Sequence, residues 1–387
     1  MRTRIWIAAV SVMLLAVMPA WTEEPRPTKA ALANYFPPPE SKGGWRTLLP
    51  DKGEPSAEQK AAIAKTAGVD WDKLKLAWEH NAAIEGSSGL IVIRHGNIVG
   101  EWYKNGGRDK TFNIYSSSKA YTSLAFGLLL ADSEAGKLAG GKKLTLDTKV
   151  CNAEWLPEAL PLPDPRKADI TLRHLLNMAS GIGGENVPAD KEPFEIALGH
   201  TEKSAFKMLK ADPGKKFIYS NAGVAHLVLV FQRAAGEDEF SYLKKRIFEP
   251  VGMENLKWTQ MGGKNGKIGP FSQGYSGMLT TPREHARFCY LALHKGDWNG
   301  KQLVPASHYD FAWKSTKTNP TYGGQWWVFP RHKDGPRDLV QTAGAFNNDG
   351  YVVPSLDLVF VRLGDGKKFP KNWASDLVQK VVAAVNK

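Results

Sequence analysis

The chain predicts a fold of the α/β (α+β) class: an antiparallel sheet formed by both chain ends and flanked by helices, with a mainly helical domain inserted between them. Three observations carry this. Two β-rich runs flank a turn signal early in the chain, strand-like runs return in its last quarter, and the stretch between alternates helical patterns with Pro/Gly loops.

The elements follow in order. Residues 21–60 carry "PRPTKA", "YFPPPESKGG" and "DKGEPSAEQK" and read as an extended arm or linker. From Asp70 to about Ala83, "DWDKLKLAWEHNAA" opens on a capping Asp and repeats apolar residues at helical spacing, so a helix is expected. "SGLIVIRHGNIVGEWYKNG" is a hairpin signal around His95-Gly96-Asn97. Ser116 to about Leu256 is the helical stretch; "YGGQWWVFP", "RDLVQTAG" and "LDLVFVRLG" then read as strands, closed by a helix across "WASDLVQKVVAAVNK". The expected division is 61–115 with 270–387 as the sheet domain, and 116–269 as the mainly helical domain.

At 387 residues, 42% hydrophobic and 23% charged, the chain has the composition of a globular protein with a large core. Its formal charge of +12 raises nucleic acid as a partner, yet the basic residues are scattered, with no run longer than Lys244 to Arg246. A solvated basic surface and no nucleic-acid partner is the reading. The start, "MRTRIWIAAVSVMLLAVMPAWTEE", has two arginines and then an apolar run too short for the roughly 18 residues of a spanning helix. Residues 1–20 therefore read as a secretory signal peptide, which predicts a periplasmic or secreted protein without stable membrane insertion. Only Cys151 and Cys289 are present, and whether they pair stays open, as does the oligomeric state.

The chemistry centres on "FNIYSSSKAYTSLAFGLLL". After Lys119 no charge appears until Asp132, and apolar residues go nearly all round, the pattern of a buried helix. Ser116 and Lys119 stand three apart and share a helix face, whereas Ser117 and Ser118 point elsewhere. Desolvation and a helix N-terminus both lower a lysine's pKa, and a neutral amine beside a hydroxyl is a general base beside a nucleophile. Ser-x-x-Lys alone is weak: Ser204 to Lys207 and Ser241 to Lys244 also match, but among charges, on helices expected to be amphipathic with solvated lysines. Serines before a helix are also ordinary caps.

A lysine base needs a second proton carrier and a place for the oxyanion. Tyr219-Ser220-Asn221 follows a Pro-Gly turn, and Thr342-Ala343-Gly344 ends an expected strand; Tyr103-Lys-Asn105 and Thr66-Ala-Gly68 are decoys for each. Jointly, in this order, the chain resembles the serine β-lactamase and penicillin-binding-protein superfamily, in particular its class C β-lactamase-related branch of esterases, D-amino-acid peptidases and 6-aminohexanoate-oligomer hydrolases. The resemblance spans about residues 85–385 and includes "LTLDTKV", "ITLRHLLNMASGI", "PGKKFIYSNAG", "YLKKRIFEPVGM" and "YSGMLTTPREHARF". It implies Ser116 as the acylated nucleophile, Lys119 as its base, and Tyr219 as the shuttle that protonates the leaving group and then activates water. It implies Asn221 as a partner of substrate or of Lys119, and the backbone N–H groups of Ser116 and Ala345 as the oxyanion hole, with Gly344 admitting substrate to the strand edge. One departure stands out: where relatives often carry Lys, His or Trp, this chain has Thr342, whose neutral hydroxyl is a poor match for a substrate carboxylate.

Other signals are set aside. His174 lies between apolar neighbours and reads as structural. There is no H-E-x-x-H, no Cys/His cluster and no G-x-S-x-G, so neither a metal, a cofactor nor an α/β-hydrolase elbow is expected. "GKLAGGKK" from Gly136 reads as a loop. Trp326 and Trp327 straddle one strand, so they face opposite ways, and by resemblance Trp327 is placed among the pocket residues. The function expected is hydrolysis of a small ester or amide, including a 6-aminohexanoate-type linear amide. The alternatives are a D-alanyl-D-alanine carboxypeptidase or β-lactamase, and a non-catalytic envelope binding protein of the same fold.

Overall fold

The computed structural model describes residues 35–188, 191–263 and 266–385, so the signal-peptide reading of residues 1–20 lies outside the described residues. An eight-stranded sheet organises the body. Its strands are β1 (Arg46–Thr47), β2 (Ser88–Arg94), β3 (Asn97–Lys104), β4 (Tyr322–Gly323), β5 (Trp326–Val328), β6 (Val340–Thr342), β7 (Asp349–Val353) and β8 (Leu358–Gly364), in the order β1-β3-β2-β8-β7-β6-β5-β4. All neighbours are antiparallel except β1 and β3. Both chain ends therefore meet at the β2–β8 pairing, where seven residues of each strand are in register.

The hairpin forms where the turn signal lies, with His95 at φ 51° and Gly96 at φ 70° between β2 and β3. That pair of left-handed residues matches the right-handed twist of the strands it joins. Alternation along the strands sends side chains to two cores. Ile91, Ile93, Val359 and Val361 face one, while Leu90, Val92, Leu358 and Phe360 face the other.

The second core is closed by three helices. α1 (Ala57–Ala67) opens with a Ser56/Gln59 capping box, α2 (Trp71–Ala82) is capped by Asp70 as expected, and the closing helix is Trp373–Ala383. The first core is larger and holds α3 (Ser118–Glu134), α4 (Asn221–Ala235) and α5 (Pro282–Leu293). α3 is buried almost all round, which the charge-free stretch after Lys119 requires.

Of the stretch read as an extended arm or linker, residues 35–56 run beside the edge of the sheet, while residues 57–60 are already the first turn of α1, started by the Ser56 cap. Trp45 is buried, β1 pairs with β3, and the Arg287 guanidinium binds the carbonyls of Pro37 and Pro38. Between the three strands expected near the chain end, β7 supplies one more, carried by "DGYVV". Cys151 and Cys289 are free and buried. No helix among the described residues is long and apolar enough to cross a membrane.

Candidate active site

A short strand, Phe112–Asn113, pairs with Met278–Thr280 and delivers the chain to the head of α3. At Tyr115 the backbone turns left-handed, φ 48°, a strained state for a non-glycine residue, held by the Tyr115 N–H donating to Asn113 Oδ1 at 2.8 Å. A single 3-10 turn over Tyr115–Ser117 then leads into α3.

The three serines part company here. Ser117 donates its hydroxyl to the Asn348 carbonyl at 2.6 Å, and Ser118 accepts the Met278 N–H at 3.1 Å. Ser116 is half-buried, with Lys119 Nζ 2.9 Å from its Oγ. The lysine is 1% exposed, and Nζ also donates to the Tyr275 carbonyl at 2.8 Å. Burial pushes the Lys119 pKa down to about 7, against the opposing field of the Glu185 carboxylate. An amine that is neutral in a good fraction of molecules at neutral pH can take a proton from the hydroxyl beside it.

Tyr219 sits in the loop before α4, its ring centre 4.8 Å from Lys119 Nζ. Burial pushes its pKa up to about 12, while the nearby Ser116 hydroxyl draws the other way. Ser116 and Lys119, from the head of α3, are thus brought together with Tyr219 from the loop before α4. Asn221, the first residue of α4, donates its Nδ2 to the Glu185 carbonyl at 2.6 Å rather than engaging Lys119. Its Oδ1 is buried without a partner among the described residues.

Gly344, two residues past the end of β6, lies directly against this turn. A Cβ there would lie 2.1 Å from the Ile114 carbonyl oxygen and 2.8 Å from that of Asn348, so only glycine permits the approach. Its N–H is held by Asp349 Oδ1 at 3.0 Å, and the exposed Ala345 opens the next 3-10 turn. Phe346 of that turn meets the Tyr115 ring edge-on at 5.4 Å.

Thr342 is not brought to the cluster. Its side chain is 1% exposed and turned inward, where Oγ1 lies 3.0 Å from His285 Nε2 and accepts the Gly350 N–H at 3.0 Å. The His285 pKa is pushed down to about 3 by burial, so the ring is neutral, and its other nitrogen meets the Tyr121 hydroxyl. The hydroxyl read as facing substrate is a structural tie between β6 and α5.

Trp326 is buried against Phe288, whereas Trp327 is half-exposed and stacked on Tyr219, 6.1 Å between ring centres at 22°. His174 accepts the Thr171 N–H at a helix start, a structural role. Ser204 to Lys207 lies in turns and not on the helix expected, while Lys244 is exposed at the end of a short helix. A cavity of about 800 Å³ lined in part by Trp71, Trp78 and Trp102 holds none of these residues.

Three groups escaped the sequence reading. The Tyr275 carbonyl is a backbone atom, which no side-chain pattern reveals. Glu185 and Arg331 lie in loops, and nothing local marks them as neighbours of Tyr219.

The match to a family model defines the class, a serine hydrolase of the β-lactamase and penicillin-binding-protein type. The Beta-lactamase family model matches residues 80–384, and the chain belongs to that family. Among curated relatives it is 24% identical to Penicillin-binding protein 4* of Bacillus subtilis (strain 168) over 175 residues, 42% of this chain and 34% of the relative. The match thus spans about a third of that protein's length. Among solved structures it is similar to a Bacillus anthracis protein assigned as a 6-aminohexanoate-dimer hydrolase, with 19% identity, TM-score 0.60 and 80% of each chain covered. It is also similar to EstCE1, a hydrolase with promiscuous acyltransferase activity, with 15% identity, TM-score 0.61, and 84% of this chain and 100% of the other covered. At these identities the structural likenesses speak for the fold.

Proposed function

We propose that this chain is an exported serine hydrolase that cleaves small esters or linear amides through an acyl-enzyme on Ser116. The observation that carries the reading is an amine 1% exposed to water and 2.9 Å from the only serine hydroxyl of the three that the fold leaves uncommitted.

In the first step neutral Lys119 draws the Ser116 proton as Oγ attacks the substrate carbonyl, and the backbone amides of Ser116 and Ala345 receive the oxyanion. The proton passes through Tyr219 to the leaving oxygen or nitrogen as that bond breaks. Water then attacks the acyl-enzyme, yielding its proton to the same pair, and the acid departs with Ser116 restored. Glu185 contributes an exposed carboxylate whose field reaches Lys119 and Tyr219, and Asn221 Oδ1 a buried acceptor without a partner among the described residues.

The inward-facing Thr342 argues against a β-lactam or D-alanyl-D-alanine substrate held by a cation on β6. The partial match to Penicillin-binding protein 4* keeps a D-alanyl peptidase or β-lactamase as the second reading. A fluorophosphonate probe should label the mature chain and fail on Ser116→Ala; a chain that neither takes the probe nor turns over any ester would be a binding protein. Ester turnover without nitrocefin turnover favours the first reading over the second. Export is tested by the N-terminal sequence of the protein recovered from the periplasm.

A further inference from the structure

We propose that the loop from Gly199 to Lys216 docks the protein on the surface of an anionic lipid bilayer, an inference that stands apart from the acyl-transfer reading above. The loop carries five lysines, Lys203, Lys207, Lys210, Lys215 and Lys216, against two carboxylates, Glu202 and Asp212. Asp212 is already bound by the Arg166 guanidinium at 2.9 Å. Among the described residues none of the five ammonium groups has an ion pair or a hydrogen bond, and all but Lys207 are exposed.

Apolar surface lies in the same place. Among the described residues the exposed large apolar side chains are Leu76, Leu160 and Met208, the last 55% exposed. Met208 stands beside Leu209, whose N–H donates to Asp164 Oδ2 at 2.9 Å, and Leu160 is four residues before that aspartate. Leu160 and Met208 therefore belong to adjoining loops beside the unpaired lysines. The docking loop is fixed from beneath. The buried Lys167 donates Nζ to the carbonyls of Leu198 and Phe206 at 2.8 and 2.9 Å, and Arg166 binds the Leu209 carbonyl at 3.0 Å. Phe206 and Leu209 turn into the core. Gly199, at φ 91°, lies against Lys207, where a Cβ would sit 2.9 Å from the Lys207 Cα. With these residues held, Met208 is presented to solvent with little left to order on docking.

The two features together select the partner. Lysines alone serve any polyanion, but an exposed thioether is not desolvated by a hydrated polymer. At a bilayer it enters the headgroup boundary while the lysines meet lipid phosphates. Each lysine close to such a surface strengthens binding about fivefold, and salt screens the attraction. Lys216 stands three residues before Tyr219, so the docking loop runs directly into the segment that carries the proton carrier.

The test is co-sedimentation of the mature chain with vesicles of phosphatidylcholine containing about 30% phosphatidylglycerol, and with phosphatidylcholine alone, at about 0.1 M salt. Binding should be at least about tenfold stronger on the anionic vesicles. Lys203→Gln, Lys210→Gln, Lys215→Gln and Lys216→Gln combined should weaken it by at least about tenfold. Lys52→Gln, Lys65→Gln, Lys257→Gln and Lys301→Gln combined remove the same charge from exposed lysines elsewhere and should leave binding within about twofold of the parent. Leu160→Ser with Met208→Ser should weaken it about fivefold at unchanged charge. Circular dichroism verifies that each variant is folded. Equal binding to the two kinds of vesicle, or an equal loss in the two lysine sets, overturns the assignment. Full binding by the Leu160→Ser, Met208→Ser protein, with dextran sulfate captured through the same four lysines, overturns it in favour of a soluble polyanion. Turnover is not read at any point, so failure of the hydrolase reading leaves this test unaffected.

Discussion

Gly344 lies so close to Ile114 that a methyl group on its Cα would come within 2.1 Å of the Ile114 carbonyl oxygen. Two segments more than two hundred residues apart in sequence are thereby locked side by side, the turn that presents Ser116 and the strand end that presents the Ala345 amide. Gly344→Ala should displace one against the other. We expect a lowered Tm, an overpacking penalty of about 1–3 kcal/mol, and a fall in acylation rate on the order of a hundredfold, because misplacement of about 1 Å has that effect. Thermal unfolding and burst kinetics on an activated ester check both.

The serines predict a dissociation of stability from chemistry. Ser117→Ala and Ser118→Ala each remove a buried hydrogen bond and should lower stability by about 1 kcal/mol while still accepting a fluorophosphonate label. Ser116→Ala should do the reverse, leaving Tm near that of the parent and abolishing the label. Urea denaturation beside gel-based labelling of the three variants reads the pattern directly.

Lys119 predicts a pH-dependent stability difference. Its pKa falls from 10.5 in the unfolded chain to about 7 in the folded one, so between those values the unfolded state binds the extra proton and stability rises with pH. The burden of the buried amine is complete below pH 7 and gone near 10.5. Lys119→Met, similar in volume and uncharged, should therefore be more stable than the parent at pH 6, with the gap narrowing steadily from pH 7 to 10. Chemical denaturation of both proteins across that range tests the sign; a gap that widens with pH contradicts it.

Asp349 should act as a positioning residue for the oxyanion amides. It is 2% exposed and accepts the Gly344 N–H, Gln341 Nε2 and the Tyr351 hydroxyl, so it fixes the peptide that precedes Ala345. Asp349→Ala leaves three buried donors unpaired and should cost about 3 kcal/mol or more. Asp349→Asn keeps the shape and should retain most of the fold while lowering kcat more than it changes KM. Circular dichroism with steady-state kinetics separates the two effects.

Much of this was legible from local pattern. Three-residue spacing tied Ser116 to Lys119, and the charge-free run beyond them announced the burial that lowers the amine's pKa. The His95-Gly96 turn and the alternating strands announced the sheet. What escaped depends on distant partners. Thr342 reads as a substrate hydroxyl until His285, 57 residues away, is seen to bind it. Tyr275 acts on Lys119 through a carbonyl, which carries no residue-type signature. Arg331 is one basic residue among many on a chain of charge +12, and only the turn after β5 sets it over Trp327.

The central claim, a neutral Lys119 activating Ser116, is most directly tested by the pH dependence of the pre-steady-state acylation rate. The rate should climb about tenfold per pH unit through the acid range and level off above an apparent pKa near 7, with the limb and nearly all the rate lost in Lys119→Met. A profile flat from pH 5 to 9, or a Lys119→Met protein that acylates at the parent rate, would contradict it.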